Sequence, residues 1–105
     1  MTAISELTDG VAVTSLYPGC VLDVQTRNRN YRIECVQGEE VRISGHPSIC
    51  PVPTAARLVG SSKGMGGLEA GVVKAGMHLV FERLDESRPI TTSEITGIRV
   101  KRGGC

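Results

Sequence analysis

Residues 20–26 read CVLDVQT, an alternation of apolar and polar side chains that residues 31–35 (YRIEC), 40–44 (EVRIS) and 77–82 (MHLVFE) repeat. Successive side chains of a β-strand point to opposite faces of the sheet, so a two-residue period is typical of strands that bury one face. We therefore expect Leu22 and Val24 to point inward, and the other runs to bury their own apolar positions in the same way.

Turn-forming segments separate these runs. Residues 27–30 (RNRN) are polar and rich in asparagine, which favours a hairpin loop. Residues 45–53 contain three prolines, so we expect an ordered loop or an edge there. Residues 60–67 contain four glycines, which indicates a flexible connection, and Gly97 predicts an irregularity in the last strand. The pattern predicts an all-β fold, a small antiparallel β-barrel or roll of six to seven strands without a substantial helix.

The length of 105 residues fits one domain with a single modest core. We expect residues 1–10 to form a flexible N-terminal lead-in with one helical turn over residues 3–7. Residues 11–102 are predicted to form a single β-barrel domain, and residues 103–105 a flexible tail. Hydrophobic residues make up 40% of the chain but only two tyrosines and one phenylalanine are present, so the core must be mainly aliphatic.

The charge is nearly balanced, with 12 basic and 11 acidic residues and a formal net charge of +1. This balance gives no global electrostatic attraction to nucleic acid or to an anionic membrane. The N-terminal residues resemble no signal peptide, and no apolar run approaches the roughly 20 residues that cross a bilayer. We therefore expect a cytoplasmic protein without membrane contact, in which the four cysteines are reduced.

The hairpin loop and the residues after it carry the candidate binding site. Arg27, Arg29 and Arg32 lie within six residues, together with Tyr31. Arginines on a loop tip can hold phosphates, and a neighbouring aromatic ring can stack on a base. The segment thus predicts a nucleic-acid-binding surface; the alternative is a solvated hairpin tip, where Arg and Asn are common.

A second hypothesis concerns metal binding. His46 and Cys50 are four residues apart and are the nearest approximation to a zinc-ligand pair in the chain. Structural zinc sites normally contain cysteine pairs two to four residues apart, and this sequence has none. The alternative is that the cysteines are structural, with Cys20 and Cys35 in the sheet and Cys50 filling the proline-rich loop.

The sequence gives no pattern typical of an enzyme. Cys50 with His46 or His78 would be the only conceivable nucleophile and base, and no nucleophile signature surrounds them. Residues 60–67 differ from a phosphate-binding loop because Lys63 precedes Gly64 and no helix is predicted after it. We therefore expect no catalytic activity and no cofactor.

Residues 66–98 carry a resemblance to a known family. Residues 66–79 (GGLEAGVVKAGMHL), followed by residues 92–98, resemble the second, β-barrel domain of translation elongation factors. The resemblance implies turn positions at Gly67, Gly71 and Gly76, and core positions at three further residues (Leu68, Val73 and Leu79). It also implies barrel geometry, and it assigns no function without a preceding GTPase domain.

A second likeness involves residues 43–53, 76–79 and 90–93, which are similar to segments of small bacterial proteins of uncharacterised function. The sequence as a whole predicts a non-catalytic binding or interaction module. Its partner is expected to be another protein or a second copy of this chain, because short barrels expose strand edges. Nucleic-acid binding and zinc binding are the alternatives.

Overall fold

The computed structural model describes residues 4–63, 67–85 and 88–102. These residues form ten strands and one 3₁₀ turn, η1 (Val13–Ser15). The strands are β1 (Ile4–Thr8), β2 (Gly10–Ala12), β3 (Val21–Thr26), β4 (Asn30–Gln37), β5 (Glu40–Ser44), β6 (Thr54–Lys63), β7 (Gly67–Ala70), β8 (Val72–Lys74), β9 (His78–Arg83) and β10 (Pro89–Arg102). The predicted all-β class without a substantial helix is confirmed, whereas the predicted flexible tail at residues 103–105 lies outside the described residues.

Six antiparallel strands form a ring-like, barrel-like sheet. Around the ring the order is β10-β3-β4-β5-β6-β9, and β9 pairs with both β6 and β10, which closes it. Strand β1 extends the sheet beside β10, and β7 extends it beside β6. Strands β2 and β8 form a separate two-stranded sheet. The predicted barrel geometry is therefore confirmed.

The core follows the alternation read from the sequence. Leu22 and Val24 on β3 are fully buried, as is Ile33 on β4. The alternate residues of β3 face outward: Asp23 is half-buried and Gln25 is exposed. The inward positions of the other ring strands complete one hydrophobic cluster, which includes Tyr31, Cys35, Val41, Ile43, Ala56, Leu58, Leu79, Phe81, Ile95, Ile98 and Val100.

Strands β6 and β10 are bent by bulges. On β6 the register shifts between Leu58 and Gly60, and on β10 it shifts twice, between Thr91 and Glu94 and between Ile95 and Gly97. The last shift explains why Ile95 and Ile98, three residues apart, both point into the core, and it confirms the predicted irregularity at Gly97. A bulge adds one residue to one strand and increases its bend, which lets a sheet turn back on itself.

The bulge on β6 requires glycine. Gly60 has φ +150°, and a Cβ there would overlap the carbonyl oxygen of Glu69 on β7. Gly60 therefore allows β7 to approach β6 at the bend. The Val59 carbonyl at this bulge accepts a hydrogen bond from the Gly71 N–H at 2.7 Å, which fixes the turn after β7.

Three local predictions are wrong. Residues 4–8 form β1, paired with β10, instead of a helical turn in a loose lead-in. Residues 60–63 continue β6 and pair with β7, so much of the predicted glycine-rich connection is strand. Residues 11–16 (VAVTSL) favour a first strand by their pattern, but they pair only briefly in β2 and then enter η1. In each case pairing with a distant strand outweighs the local pattern.

The positions suggested by the elongation-factor resemblance fall into two groups. Gly71 and Gly76 have φ values of +79° and +89° and occupy turns. Val73 and Leu79 are fully buried. Leu68 was expected in the core but is 56% exposed, because it lies on β7 at the edge of the sheet.

No helix among the described segments has the length and apolar character needed to cross a membrane.

We predict that Gly60→Ala lowers the free energy of unfolding by about 3 kcal/mol or more, because it combines an unfavourable φ with backbone overlap. The control is Gly71→Ala, where φ is also positive but a Cβ meets no atom within 4 Å. That variant should lose only about 1 kcal/mol. Urea unfolding of both variants measures the difference, and equal losses would contradict the role given to the bulge.

Candidate functional site

The tip of the β3–β4 hairpin is a tightly hydrogen-bonded turn. The Thr26 hydroxyl donates to the Arg29 carbonyl oxygen at 2.7 Å and accepts from the Arg29 N–H at 3.1 Å. The Thr26 N–H also donates to the Arg29 carbonyl at 2.8 Å. These bonds hold the backbone of residues 27–29 in one conformation, so the side chains at the tip start from fixed positions.

The hairpin tip is attached to β10. The Arg27 N–H donates to the Glu94 carbonyl oxygen at 3.0 Å, and the Asn28 N–H donates to the Ser93 hydroxyl at 3.3 Å. The Arg27 Nε lies 3.6 Å from the Glu94 carboxylate, with both side chains substantially exposed. Such a surface pair contributes at most about 1 kcal/mol. Arg27 therefore faces a carboxylate and is not an isolated cation at the tip.

Arg32 lies on a different surface from Arg29. It points outward from the middle of β4, and its Nε is 3.6 Å from the Glu34 carboxylate. It lines a groove on the outer face of the sheet, here called the side groove, beside Leu7 and Gly97. The four predicted binding residues are thus divided between the barrel end and the barrel side.

Tyr31 is part of the core. Its side chain is only 4% exposed, and its ring lies edge-on to Phe81 with a centroid distance of 6.1 Å. Burial raises the pKa of Tyr31, the nearby Cys50 thiol acts in the same direction, and the Arg29 guanidinium acts against them. A base cannot stack on a ring that is buried to this extent, so the predicted stacking role of Tyr31 is not compatible with its position.

The proline-rich loop is an ordered turn closed by its two candidate zinc ligands. His46 and Cys50 form an isolated antiparallel bridge, with the Cys50 N–H donating to the His46 carbonyl at 2.9 Å. His46 Nδ1 accepts the N–H groups of Ser48 and Ile49 at 3.1 and 3.2 Å. The Cys50 side chain is fully buried, which raises the pKa of its thiol.

This arrangement leaves few ligand atoms available to a metal ion. One nitrogen of His46 is used by the backbone, and Cys50 faces the core. Within the described part of the chain, no group of three or more His, Cys, Asp or Glu residues lies close enough to hold a metal. Cys50 fills the proline-rich loop, in line with the structural interpretation.

A second groove, here called the end groove, lies where the hairpin tip, the proline-rich loop and the first half of β10 meet. It has a volume of about 270 Å³. Arg29 and Tyr31 of the predicted site line it, as does His46 from the predicted metal pair. The structure therefore brings together residues that sequence reasoning had assigned to two separate hypotheses.

Of the other lining residues, those on β10 come from a segment that the sequence did not single out as a site. Thr91 and Ser93 lie beside the first bulge of β10, and Asn28 contributes from the hairpin tip. At this bulge Thr91 is exposed and Ser93 is half-buried. Thr92, between them, is buried, and its hydroxyl accepts the Leu79 N–H at 3.1 Å. The only sequence signal was the break in alternation across residues 91–94, and it does not indicate which residues turn outward.

The side groove opens next to an edge of the sheet. It has a volume of about 420 Å³, with Gly97 in its floor. Leu7, on the neighbouring strand β1, lies at its border and is 73% exposed. Among the described strands, β1 pairs only with β10. The surface thus combines an open strand edge with an exposed apolar side chain, and the predicted lead-in gave no sign of it.

Comparison with protein-family models, with curated proteins and with solved structures gives no match.

The described cysteines are free and buried. Cys20, directly before β3, lies opposite Cys35 on β4, and the Cys35 N–H donates to the Cys20 carbonyl at 2.9 Å. Burial, and to a smaller extent the neighbouring Cys20, raise the pKa of Cys35 from 9.0 to about 11. Burial therefore favours the neutral form of the Cys35 thiol, which suits a packing role.

The raised pKa of Cys35 predicts how stability depends on pH. An unfolded chain ionises this thiol near pH 9.0 and the folded protein only near pH 11, so unfolding releases a proton between these values. The contribution of Cys35 to the free energy of unfolding is fully present below pH 9. It decreases by about 2 to 3 kcal/mol as pH rises towards 11. Urea unfolding across this range should show a smaller decrease for Cys35→Val, and identical decreases would contradict the assignment.

Proposed function

We propose that this protein is a non-catalytic interaction module that associates with a second copy of itself through the edge of β1. The observation that carries the proposal is strand β1, which pairs only with β10 among the described strands and carries Leu7, 73% exposed, on its outer face. An edge strand presents backbone N–H and C=O groups without ladder partners, and a second strand satisfies them by pairing.

The positions of the cysteine thiols and histidine imidazoles support a non-catalytic role. The thiols of Cys20, Cys35 and Cys50 are buried. His46 Nδ1 accepts backbone N–H groups, and His78 Nδ1 donates to the Thr92 carbonyl oxygen at 2.9 Å. Nucleophilic catalysis requires an accessible nucleophile and a base within reach of it, and these groups are engaged in holding the fold. Free, buried thiols also support the cytoplasmic location that we propose for the protein.

The position of Leu7 supports association of identical copies. Leu7 lies opposite Arg99 on β10, and the row continues on β3 with Asp23. Two copies of β1 paired antiparallel about a two-fold axis would bring Leu7 of each copy together beside both side grooves. A two-fold interface of this kind uses the same surface on both partners and forms a closed dimer. Pairing would remove from water both the open backbone edge and an exposed apolar side chain.

Three exposed leucines provide a matched test. Leu7 is on β1, Leu68 is on the other sheet edge, β7, and Leu84 is in the turn after β9, with exposures of 73%, 56% and 53%. Each is replaced by lysine, which blocks association at a strand edge. We expect the native protein and Leu84→Lys to sediment as dimers and Leu7→Lys to sediment as a monomer.

The measurement is sedimentation velocity over a range of protein concentrations, with reductant present so that Cys105 cannot link two chains. A native protein that stays monomeric at every concentration would refute the proposal. Dissociation caused by Leu68→Lys but not by Leu7→Lys would place the contact on β7 and also contradict it.

A further inference from the structure

We propose that the end groove binds a small anionic molecule through its phosphate or carboxylate group, with the Tyr31 hydroxyl, the Arg29 guanidinium and the His46 imidazole as donors. The groove is separate from β1, so this inference does not depend on self-association.

The Tyr31 hydroxyl is the first sign of a ligand. Nearly all of the side chain is buried, and no described residue hydrogen-bonds to its hydroxyl. Among the described residues, no side-chain nitrogen or oxygen that is fully buried lacks a hydrogen-bond partner. The Tyr31 hydroxyl has no such partner, so its oxygen must be in contact with solvent at an opening. A tyrosine buried to this extent normally has a hydrogen-bond partner for its hydroxyl.

The surroundings of Tyr31 show which opening this is. Its side chain points into the barrel, so the side groove, on the outer face, meets Tyr31 only from its backbone side. Tyr31 itself lines the end groove, and Arg29 and Cys50 both act on its phenol. Arg29 lines the end groove, and Cys50 closes the turn that carries His46. The hydroxyl therefore opens into the end groove.

His46 contributes a fixed donor. Its Nδ1 accepts two backbone N–H groups, from Ser48 and Ile49, so this nitrogen carries no proton in the neutral ring. The proton of the neutral imidazole is then on Nε2, which is free to donate. The two bonds also fix the plane of the ring, so the donor is oriented before any ligand arrives.

The charge in the end groove favours an anion. Arg29 supplies a guanidinium with five N–H donors, which matches the oxygens of a phosphate or carboxylate. None of the described residues that line the groove is an aspartate or a glutamate. The nearest carboxylate along β10, Glu94, faces Arg27. An anion in the groove therefore meets donors and a cation, and no acid among the described lining residues.

The shape of the groove limits the size of the ligand. Its volume of about 270 Å³ is just below the range of about 300 to 1,000 Å³ that is typical of small-molecule pockets. Ile49 and Ile90 are half-buried and add an apolar wall, while Thr91 and Ser93 add hydroxyls. The ligand class that fits is a small organic anion or phosphate ester with a short apolar part.

The test is an NMR titration of amide signals in the full chain with sodium phosphate and, separately, with sodium acetate. Sodium chloride at the same ionic strength is the reference. We expect saturable shifts at the amides of Asn28, Ser48 and Thr91 with at least one of the two anions, and the stronger response identifies phosphate or carboxylate as the preferred group.

Two variants each remove one proposed donor, and a third is the control. Tyr31→Phe removes one hydroxyl and keeps the ring packing, and it should weaken binding by about tenfold, as the loss of a hydrogen bond to a charged group does. Arg29→Gln, at an exposed tip position, should weaken it at least as much. Arg42→Gln removes an exposed arginine on β5, outside the groove, and should leave affinity unchanged.

Absence of saturable shifts with both anions would overturn the proposal. So would equal affinity in the native protein and in Arg29→Gln, a variant whose exposed position makes loss of folding a poor explanation. A short single-stranded RNA that binds when neither small anion does would also overturn it, in favour of phosphate-backbone recognition by the hairpin.

Discussion

The structure depends on the bending of two long strands, β6 and β10. Each pairs with different neighbours along its length, and each changes direction at a bulge. The first half of β10 pairs with β9, and its second half pairs with β1 on the same side and with β3 on the other. Strand β6 likewise pairs with β5 at its start and with β7 at its end, while β9 follows its opposite side. Straight strands of this length would leave an open sheet with two unprotected edges.

The same bends produce the two surfaces on which the functional proposals are based. The first bulge of β10 places Ser93 against the hairpin tip and leaves Glu94 opposite Arg27, which forms one wall of the end groove. The second bulge places Gly97 in the floor of the side groove, and the straight segment that follows it carries β1. Closure of the barrel and formation of the two grooves are therefore consequences of one structural constraint.

Sequence periodicity predicted much of this fold and little of its sites. The inward positions of β3, β4 and β5 were correct because their side chains alternate without interruption, and Gly97 was recognised because it broke an otherwise regular run. Strand β1 was missed because five residues give a weak pattern and their partners are 90 to 98 residues away along the chain. The end groove is formed by residues near 28–31, 46–49 and 90–93, and no local pattern shows that these three segments meet. Tyr31 was read both as an inward strand residue and as a stacking platform, and its packing against Phe81 allows only the first.

The most direct test of the central claim is a NOESY spectrum of the isotopically labelled protein, because it detects strand pairing without assuming a fold. A closed barrel requires cross-strand contacts between Phe81 and Ile90, between Gly60 and Val80, and between Val24 and Ile98 in the same protein. These three pairs join β9 to β10, β6 to β9 and β3 to β10. Together with contacts for the β3–β4, β4–β5 and β5–β6 pairs, they demonstrate a closed ring. A spectrum that shows the β3–β10 contact but lacks the Phe81–Ile90 contact, the Gly60–Val80 contact or both would indicate an open sheet and contradict a closed barrel.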